Sequence, residues 1–280
     1  MLSHNNKDVD VKIQGKIGII KFNQPKALNA FSDSLKLETI QALRELDDHP
    51  DTVFTVLTGE GRFFSAGADV RQKPKESPTP SGAAEQKVSQ MIRLAPLMEM
   101  MRAVIDHKKV FVLALNGPGI GGGAAWFQGV ADIVLASTTA YLQVPFSALG
   151  LVPEAGASTN LARHMGVHRA NDFLMFGRKL DAHELEAWGL LNRVFPSENF
   201  HQSVIQFLED QLQVNDGKSM MEAKRLQNLP LRSERILAVY NACDALAERF
   251  VEGTPTRRLI AKQKELEEAR GYTAKSKARL

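Results

Sequence analysis

Two apolar runs, each followed directly by a glycine-rich stretch, are the feature that most restricts the fold of this chain. Residues 53–57 (VFTVL) precede the stretch 59–69, and residues 110–115 (VFVLAL) precede the stretch 116–123. Continuous apolar runs of this length are typical of strands buried on both faces. A helix start and a third apolar run, 132–136 (DIVLA), come next. This alternation predicts an α/β fold with parallel strands.

Local signals extend this pattern toward both ends of the chain. Two short β-rich runs flank Gly15 and predict a hairpin, and Ser32 is suited to cap a helix that ends near Leu46. Beyond about residue 195 the patterns predict only helices, at 200–213, 217–228, 232–250 and 254–270. We therefore expect an α/β core over residues 1–195 and a helical region over residues 196–280.

Composition excludes several classes of protein. The 280 residues carry a net charge of +3, from 35 basic and 32 acidic side chains, which is too balanced for a nucleic-acid-binding surface. Cys243 is the only cysteine, so the chain has neither an internal disulfide nor a zinc site built on clustered cysteines. We expect no membrane span and no secretory signal, because every long apolar stretch is interrupted by polar residues. Composition therefore predicts a soluble intracellular protein.

The glycine-rich stretches suit a site for negative charge. Glycine lets the backbone approach a ligand closely, and two converging backbone N–H groups form an oxyanion hole. The spacing G-x-G-x-x-G occurs nowhere with a downstream acid at the ribose-binding position, and the chain has no phosphate-binding loop, so no nucleotide cofactor is expected. The spacing of His164 and His168 suits one helix face, but no carboxylate lies between them and Gly166 weakens such a helix, so no metal site is expected either.

Several segments together resemble one family. The segments 63–70 (FFSAGADV) and 116–123 (NGPGIGGG) resemble the two signatures of the crotonase, or enoyl-CoA hydratase/isomerase, superfamily. Residues 25–30, 149–153 and 181–194 fit the same family, in the same order. The resemblance implies a spiral of repeated ββα units, a C-terminal helical region that makes trimers, and an acyl-CoA substrate without a separate cofactor.

The resemblance also assigns residues to the site. It implies that the backbone N–H groups of Ala68 and Gly122 stabilise the enolate of a thioester. It further implies substrate contacts from Lys26, Ala27, Leu28, Ala66, Gly67, Ala68, Asp69, Val70, Gly122 and Phe146.

The acid–base residues separate the reactions within the family. Hydratases carry two glutamates, and this chain has Ala125 and Phe146 at those positions. A carboxylate instead occurs at Glu154, where the Δ3,Δ2-enoyl-CoA isomerases of the family have their base. The resemblance therefore implies such an isomerase, similar to those of fungal peroxisomes, in which one carboxylate moves a proton from C2 to C4.

Other interpretations stay open at this point. Glu154 also fits an ordinary first-turn helix residue. A dienoyl-CoA isomerase, a hydratase of a secondary pathway and a non-catalytic acyl-CoA-binding protein are the alternative functions. The final residues, Ala278-Arg279-Leu280, have the form of a peroxisomal targeting signal. We accordingly expect an import receptor as a partner, a location in the peroxisome matrix, and a trimer or a dimer of trimers.

Overall fold

The computed structural model describes residues 4–5, 7–68 and 82–277 of the chain. Within these ranges the strands are β1 His4–Asn5, β2 Val9–Gln14, β3 Ile17–Phe22, β4 Phe54–Gly59, β5 Val110–Leu115, β6 Gly119–Ile120, β7 Ile133–Ser137, β8 Tyr141–Gln143, β9 Leu180–Asp181 and β10 Arg193–Phe195. The α-helices are α1 Asp33–Asp48, α2 Ala83–Ile105, α3 Gly122–Ala125, α4 Ala157–Met165, α5 Val167–Phe176, α6 Ala182–Ala187, α7 Phe200–Val214, α8 Gly217–Asn228, α9 Arg232–Val251 and α10 Thr254–Lys277. The α/β fold expected from the alternating pattern is confirmed.

A seven-stranded sheet forms the centre of the molecule, in the order β1-β2-β3-β4-β5-β7-β10. Its first two pairings are antiparallel, and the pairings from β3 to β10 are parallel. A smaller three-stranded sheet has the order β6-β8-β9. Because β4 and β5 are parallel neighbours, the two glycine-rich stretches leave the sheet at the same edge.

The sheet separates two hydrophobic clusters. Successive strand residues point to opposite faces, so Leu57 and Leu113 join one cluster while Val56 and Val112 join the other. The larger cluster includes α1, α2 and the aromatic side chains near the glycine-rich stretches. The smaller one packs the sheet against α7. The first helices after the last strand, α7 and α8, thus cover one face of the sheet.

Most local predictions match the structure. The hairpin turns at Gly15, whose φ is +55°, and Ser32 accepts a hydrogen bond from the Leu35 amide at 3.0 Å as the cap of α1. Helix α2 begins at Ala83, where residues 83–87 (AAEQK) are good helix formers. The division of the chain at residue 195 stays a prediction.

None of the described helices is both long enough and apolar enough to cross a lipid bilayer.

A buried charged pair joins the C-terminal helices to the sheet. Lys224 of α8 lies 2.8 Å from the carboxylate of Asp132, which also accepts a hydrogen bond from the Phe111 amide at 2.7 Å. The Lys224 ammonium also donates to the carbonyl of Lys109 at 2.6 Å. Asn228 donates to the second oxygen of Asp132. The pair therefore links α8 to the beginnings of β5 and β7.

His107 is a buried side chain that makes stability depend on acidity. Its Nε2 lies 2.8 Å from Thr55 Oγ1, whereas Nδ1 lies 3.4 Å from an Asp47 oxygen without an aligned hydrogen bond. Burial, followed by the charges of Lys224, Lys109 and Lys108, lowers the pKa of His107 from 6.5 to about 3. The folded protein thus keeps this imidazole neutral in mild acid.

We predict that this histidine costs stability as the pH falls from about 6.5 toward 3. The unfolded chain takes up the proton in that interval and the folded chain does not, so the slope is up to about 1.4 kcal/mol per pH unit. Denaturant unfolding at pH 7 and pH 5 should show a smaller acid loss for His107→Gln than for the wild type. The exposed His183→Gln is the control, and equal losses in all three proteins would refute the prediction.

Candidate active site

The two glycine-rich segments meet edge to edge beyond the sheet. Ile120 donates its amide to the Ser65 carbonyl at 2.9 Å, and Phe64 donates to the Pro118 carbonyl at 3.0 Å. Asn116 adds side-chain hydrogen bonds to the Gly59 amide and the Gly61 carbonyl, at 3.0 and 2.8 Å. The segments therefore form one continuous backbone surface.

Asn29 fixes the N-terminal segment against this surface. Its side chain accepts from the Gln24 amide at 2.9 Å and donates to the carbonyls of Glu60 and Phe63 at 3.0 and 2.8 Å. Its backbone carbonyl accepts from Ser65 Oγ at 2.7 Å. The residue is fully buried and has a φ of +51°, a conformation that asparagine tolerates better than most residues.

Replacement of Asn29 by alanine should loosen this junction. Three side-chain hydrogen bonds are lost and buried partners are left unpaired, so we expect a loss of about 2 to 3 kcal/mol in the free energy of unfolding. We also expect a weaker affinity for acyl-CoA, because Leu28 and Ala66, two of the substrate contacts that the resemblance implies, are hydrogen-bonded to each other beside the junction. Thermal melting and a binding titration measure both effects. Asn23→Ala removes the same amide group without those contacts, and an equally small effect in both variants would contradict the prediction.

The predicted oxyanion amides lie on adjacent segments. Gly67 has a φ of +82°, and a Cβ placed on it would lie 2.5 Å from the Ile120 carbonyl oxygen and 3.3 Å from the Gly122 nitrogen. Only glycine allows this approach. The amides of Ala68 and Gly122 donate to no residue that the structure describes. Gly122 is the first residue of α3, where backbone amides point away from the helix. Both groups are thus available to a ligand.

Glu154 is held beside this surface by Trp126. The indole Nε1 of Trp126 donates to Glu154 Oε2 at 2.8 Å. Desolvation is the largest influence on the half-buried carboxyl and raises the pKa of Glu154, while the Trp126 hydrogen bond and the charge of Lys36 act in the opposite direction. A carboxylate with a raised pKa is a stronger base. The arrangement can therefore abstract a proton near a stabilised oxyanion.

The two positions that carry glutamates in hydratases are apolar and buried. Ala125 lies in α3 with 2% of its surface exposed, and Phe146 is 2% exposed within the larger hydrophobic cluster. Neither side chain can transfer a proton. Among the described residues no group of three His, Cys, Asp or Glu side chains is placed to hold a metal ion.

The other predicted substrate contacts occupy varied positions. Lys26 and Ala27 form a 3₁₀ turn with Pro25, and Leu28 follows it with a φ of +54°. The Ala66 amide donates to the Leu28 carbonyl at 2.9 Å, so this turn lies against the first glycine-rich segment. Asp69 and Val70 lie outside the described residues, as do Ala278, Arg279 and Leu280. The substrate roles of Lys26, Ala27, Leu28, Ala66, Asp69 and Val70, and the targeting role of the last three residues, stay predictions.

Trp126 and Asn29 are the two residues of the site that the sequence did not identify. Asn29 lies inside the segment 25–30 (PKALNA), which the sequence did single out. The positive φ of Asn29 and its buried hydrogen bonds become visible only in the structure. No local signal marks Trp126, because its partner Glu154 is 28 residues away in the chain.

Comparisons with known proteins agree with this geometry. The family model for enoyl-CoA hydratase/isomerase matches residues 12–242. A Δ(3,5)-Δ(2,4)-dienoyl-CoA isomerase from Pyricularia oryzae is 33% identical over 89% of this chain and 94% of its own length. Enoyl-CoA delta isomerase 2 from Rattus norvegicus is 35% identical over 72% of this chain, which spans about half of that longer relative (50%).

A relative from Mus musculus, enoyl-CoA delta isomerase 3, peroxisomal, is 33% identical over 72% of this chain and 61% of its own length. Among solved structures, an enoyl-CoA hydratase/isomerase from Pseudoalteromonas atlantica superposes with a TM-score of 0.81. That structure is 26% identical and is covered over 98% of its length, with 92% of this chain. The family match, the isomerase relatives and the shared fold show that this chain belongs to the enoyl-CoA hydratase/isomerase family, as an enzyme of the crotonase superfamily.

Proposed function

We propose that the protein is a Δ3,Δ2-enoyl-CoA isomerase that converts 3-enoyl-CoA to trans-2-enoyl-CoA in the oxidation of unsaturated fatty acids. The observation that carries the proposal is the carboxylate of Glu154, held next to the paired glycine-rich segments while Ala125 and Phe146 occupy the hydratase positions. One base is enough for a shift of a double bond, whereas hydration also requires activation of a water molecule.

The reaction follows from these positions. Glu154 takes a proton from C2 of the 3-enoyl thioester, and the electron pair of the C2–H bond moves toward the thioester carbonyl. The amides of Ala68 and Gly122 stabilise the resulting negative charge on the carbonyl oxygen. The protonated Glu154 then delivers the proton to C4, and the double bond lies between C2 and C3. No cofactor enters the reaction, because CoA is part of the substrate.

A dienoyl-CoA isomerase is the second candidate. The Pyricularia relative carries that name and matches this chain over nearly its whole length. The alternative requires a further acid in the pocket, and the two hydratase positions supply none. This chemistry favours the simpler isomerase.

Rates on three thioesters separate the candidates. We expect the purified protein to have its highest kcat/KM on a 3-enoyl-CoA such as 3-hexenoyl-CoA, with a 3,5-dienoyl-CoA slower. Hydration of a 2-enoyl-CoA should be slower by a factor of about 100 or more, because neither Ala125 nor Phe146 can activate water. A preference for the dienoyl or 2-enoyl substrate would replace the proposal with that activity. Tight binding without turnover of any substrate would indicate an acyl-CoA-binding protein.

The proposal includes a peroxisomal location, delivery by the peroxisomal import receptor, and assembly as a trimer or a dimer of trimers. The name of the mouse relative supports the location. Exposed apolar side chains on and between the C-terminal helices, among them Leu229 and Leu237, support assembly. Fluorescence microscopy of the tagged protein and light scattering of the purified protein test the two parts.

A further inference from the structure

We infer that Trp126 is a positioning residue for Glu154, which holds Oε2 by a hydrogen bond and leaves Oε1 to carry the proton. This inference rests on the proposed role of Glu154 as the base. The indole donates from Nε1 to Oε2 at 2.8 Å, and no described residue donates to Oε1. An indole nitrogen is a donor only, so the contact favours the ionised carboxylate.

The indole is itself fixed on two sides. The Phe31 ring stacks on it with 4.2 Å between centroids and 14° between planes. A Cβ placed on Gly122 would lie 2.5 Å from Trp126 Cε2 and 2.9 Å from Nε1, so the indole lies directly against the backbone of the proposed oxyanion donor. Trp126 is 6% exposed. One rigid side chain therefore sets the position of the base relative to the oxyanion site.

Other charged groups near Glu154 do not replace this contact. Lys36 of α1 acts on the carboxylate through its charge and pairs with Asp33 at 2.8 Å. Cys243 of α9 is buried near Glu154, and burial together with the carboxylate charge raises the pKa of its thiol to about 12. The thiol is thus neutral over the working pH range, and Trp126 is the described residue that donates a hydrogen bond to the carboxylate.

The kinetic test uses Trp126→Phe, which keeps an aromatic ring against Phe31 and removes the N–H. Without the donor the carboxylate is less stable, so the acidic limb of the kcat/KM profile should move up by about one to two pH units. On the plateau above that limb, kcat should fall about tenfold with little change in KM. An unchanged limb together with an unchanged kcat would overturn the inference.

A spectroscopic test does not depend on activity. Trp126 and Trp188 are the two tryptophans of the chain, so Trp188→Phe leaves Trp126 as the reporter. The fluorescence emission of Trp126 should change with pH, with a midpoint above 4.5, the ordinary pKa of glutamate. This pH dependence should disappear when Glu154→Gln is introduced as a second substitution. Emission that does not respond to Glu154 would overturn the inference.

The two proposals fail in different ways. If 3-enoyl-CoA is not converted but Trp126 still titrates with Glu154, the isomerase function is wrong and the positioning role stands. If 3-enoyl-CoA is converted but neither the pH profile nor the emission responds, the isomerase function stands and the positioning role is wrong. Melting of each variant by circular dichroism verifies that it is folded.

Discussion

Glu154→Gln should lower kcat on a 3-enoyl-CoA about a thousandfold, with little change in KM. Loss of a general base costs typically 10² to 10⁴ in rate, and the described site has no second acid at Ala125 or Phe146 to replace it. Glutamine has nearly the same shape and its amide oxygen still accepts from the Trp126 indole, so binding and packing are kept. Absorbance of the conjugated product measures the rate.

The matched control for this experiment is Glu198→Gln, because Glu198 is exposed and remote in the chain from the glycine-rich segments. It should keep the wild-type rate. A Glu154→Gln protein within tenfold of wild type would show that another group removes the proton. If the expected thousandfold loss is observed, the residual rate of the variant reports what the oxyanion amides and substrate binding supply by themselves.

The fold was largely predictable because its elements have strong local signals. The apolar run at 110–115 became β5 with the same bounds, and the Ser32 cap starts α1 as expected. The two-residue strands β6 and β9 were not predictable, since they exist only through pairing with β8, to which no local signal points. Their pairing follows from tertiary contacts that no short window of sequence contains.

The site divides along the same line. The two segments need glycine because their backbones approach each other closely, as Gly67 and Ile120 do. This part of the site is therefore visible in the sequence. The contact of Trp126 with Glu154 depends on the direction in which α3 leaves the sheet and on stacking with Phe31. Such a contact between two side chains has no signature in one sequence.

Lys224→Met should be the most destabilising of the proposed substitutions. Lys224 and Asp132 are 7% and 15% exposed and 2.8 Å apart. Removal of one partner leaves a largely buried carboxylate without its nearest cation, and such losses are about 3 to 5 kcal/mol. Arg235 lies near enough for its charge to act on this pair, so we expect the lower end, about 3 kcal/mol. The melting temperature should then fall by roughly 10 °C.

A double variant distinguishes the charge from the packing. In Asp132→Asn with Lys224→Met, an amide oxygen can still accept from Phe111 and the carboxylate that lost its nearest cation is no longer charged, so part of the loss should be recovered. Recovery should be incomplete, because the buried Arg235 loses the attraction of the Asp132 charge. Lys218→Met, on the exposed side of the same helix, should change stability by less than about 0.5 kcal/mol. A loss from Lys224→Met no larger than this control would show that the pair contributes nothing.

Because the pair lies at the beginnings of β5 and β7 and the proposed base lies beyond their carboxyl ends, Lys224→Met should keep the wild-type kcat below its melting temperature, whereas Glu154→Gln should lose activity without melting earlier.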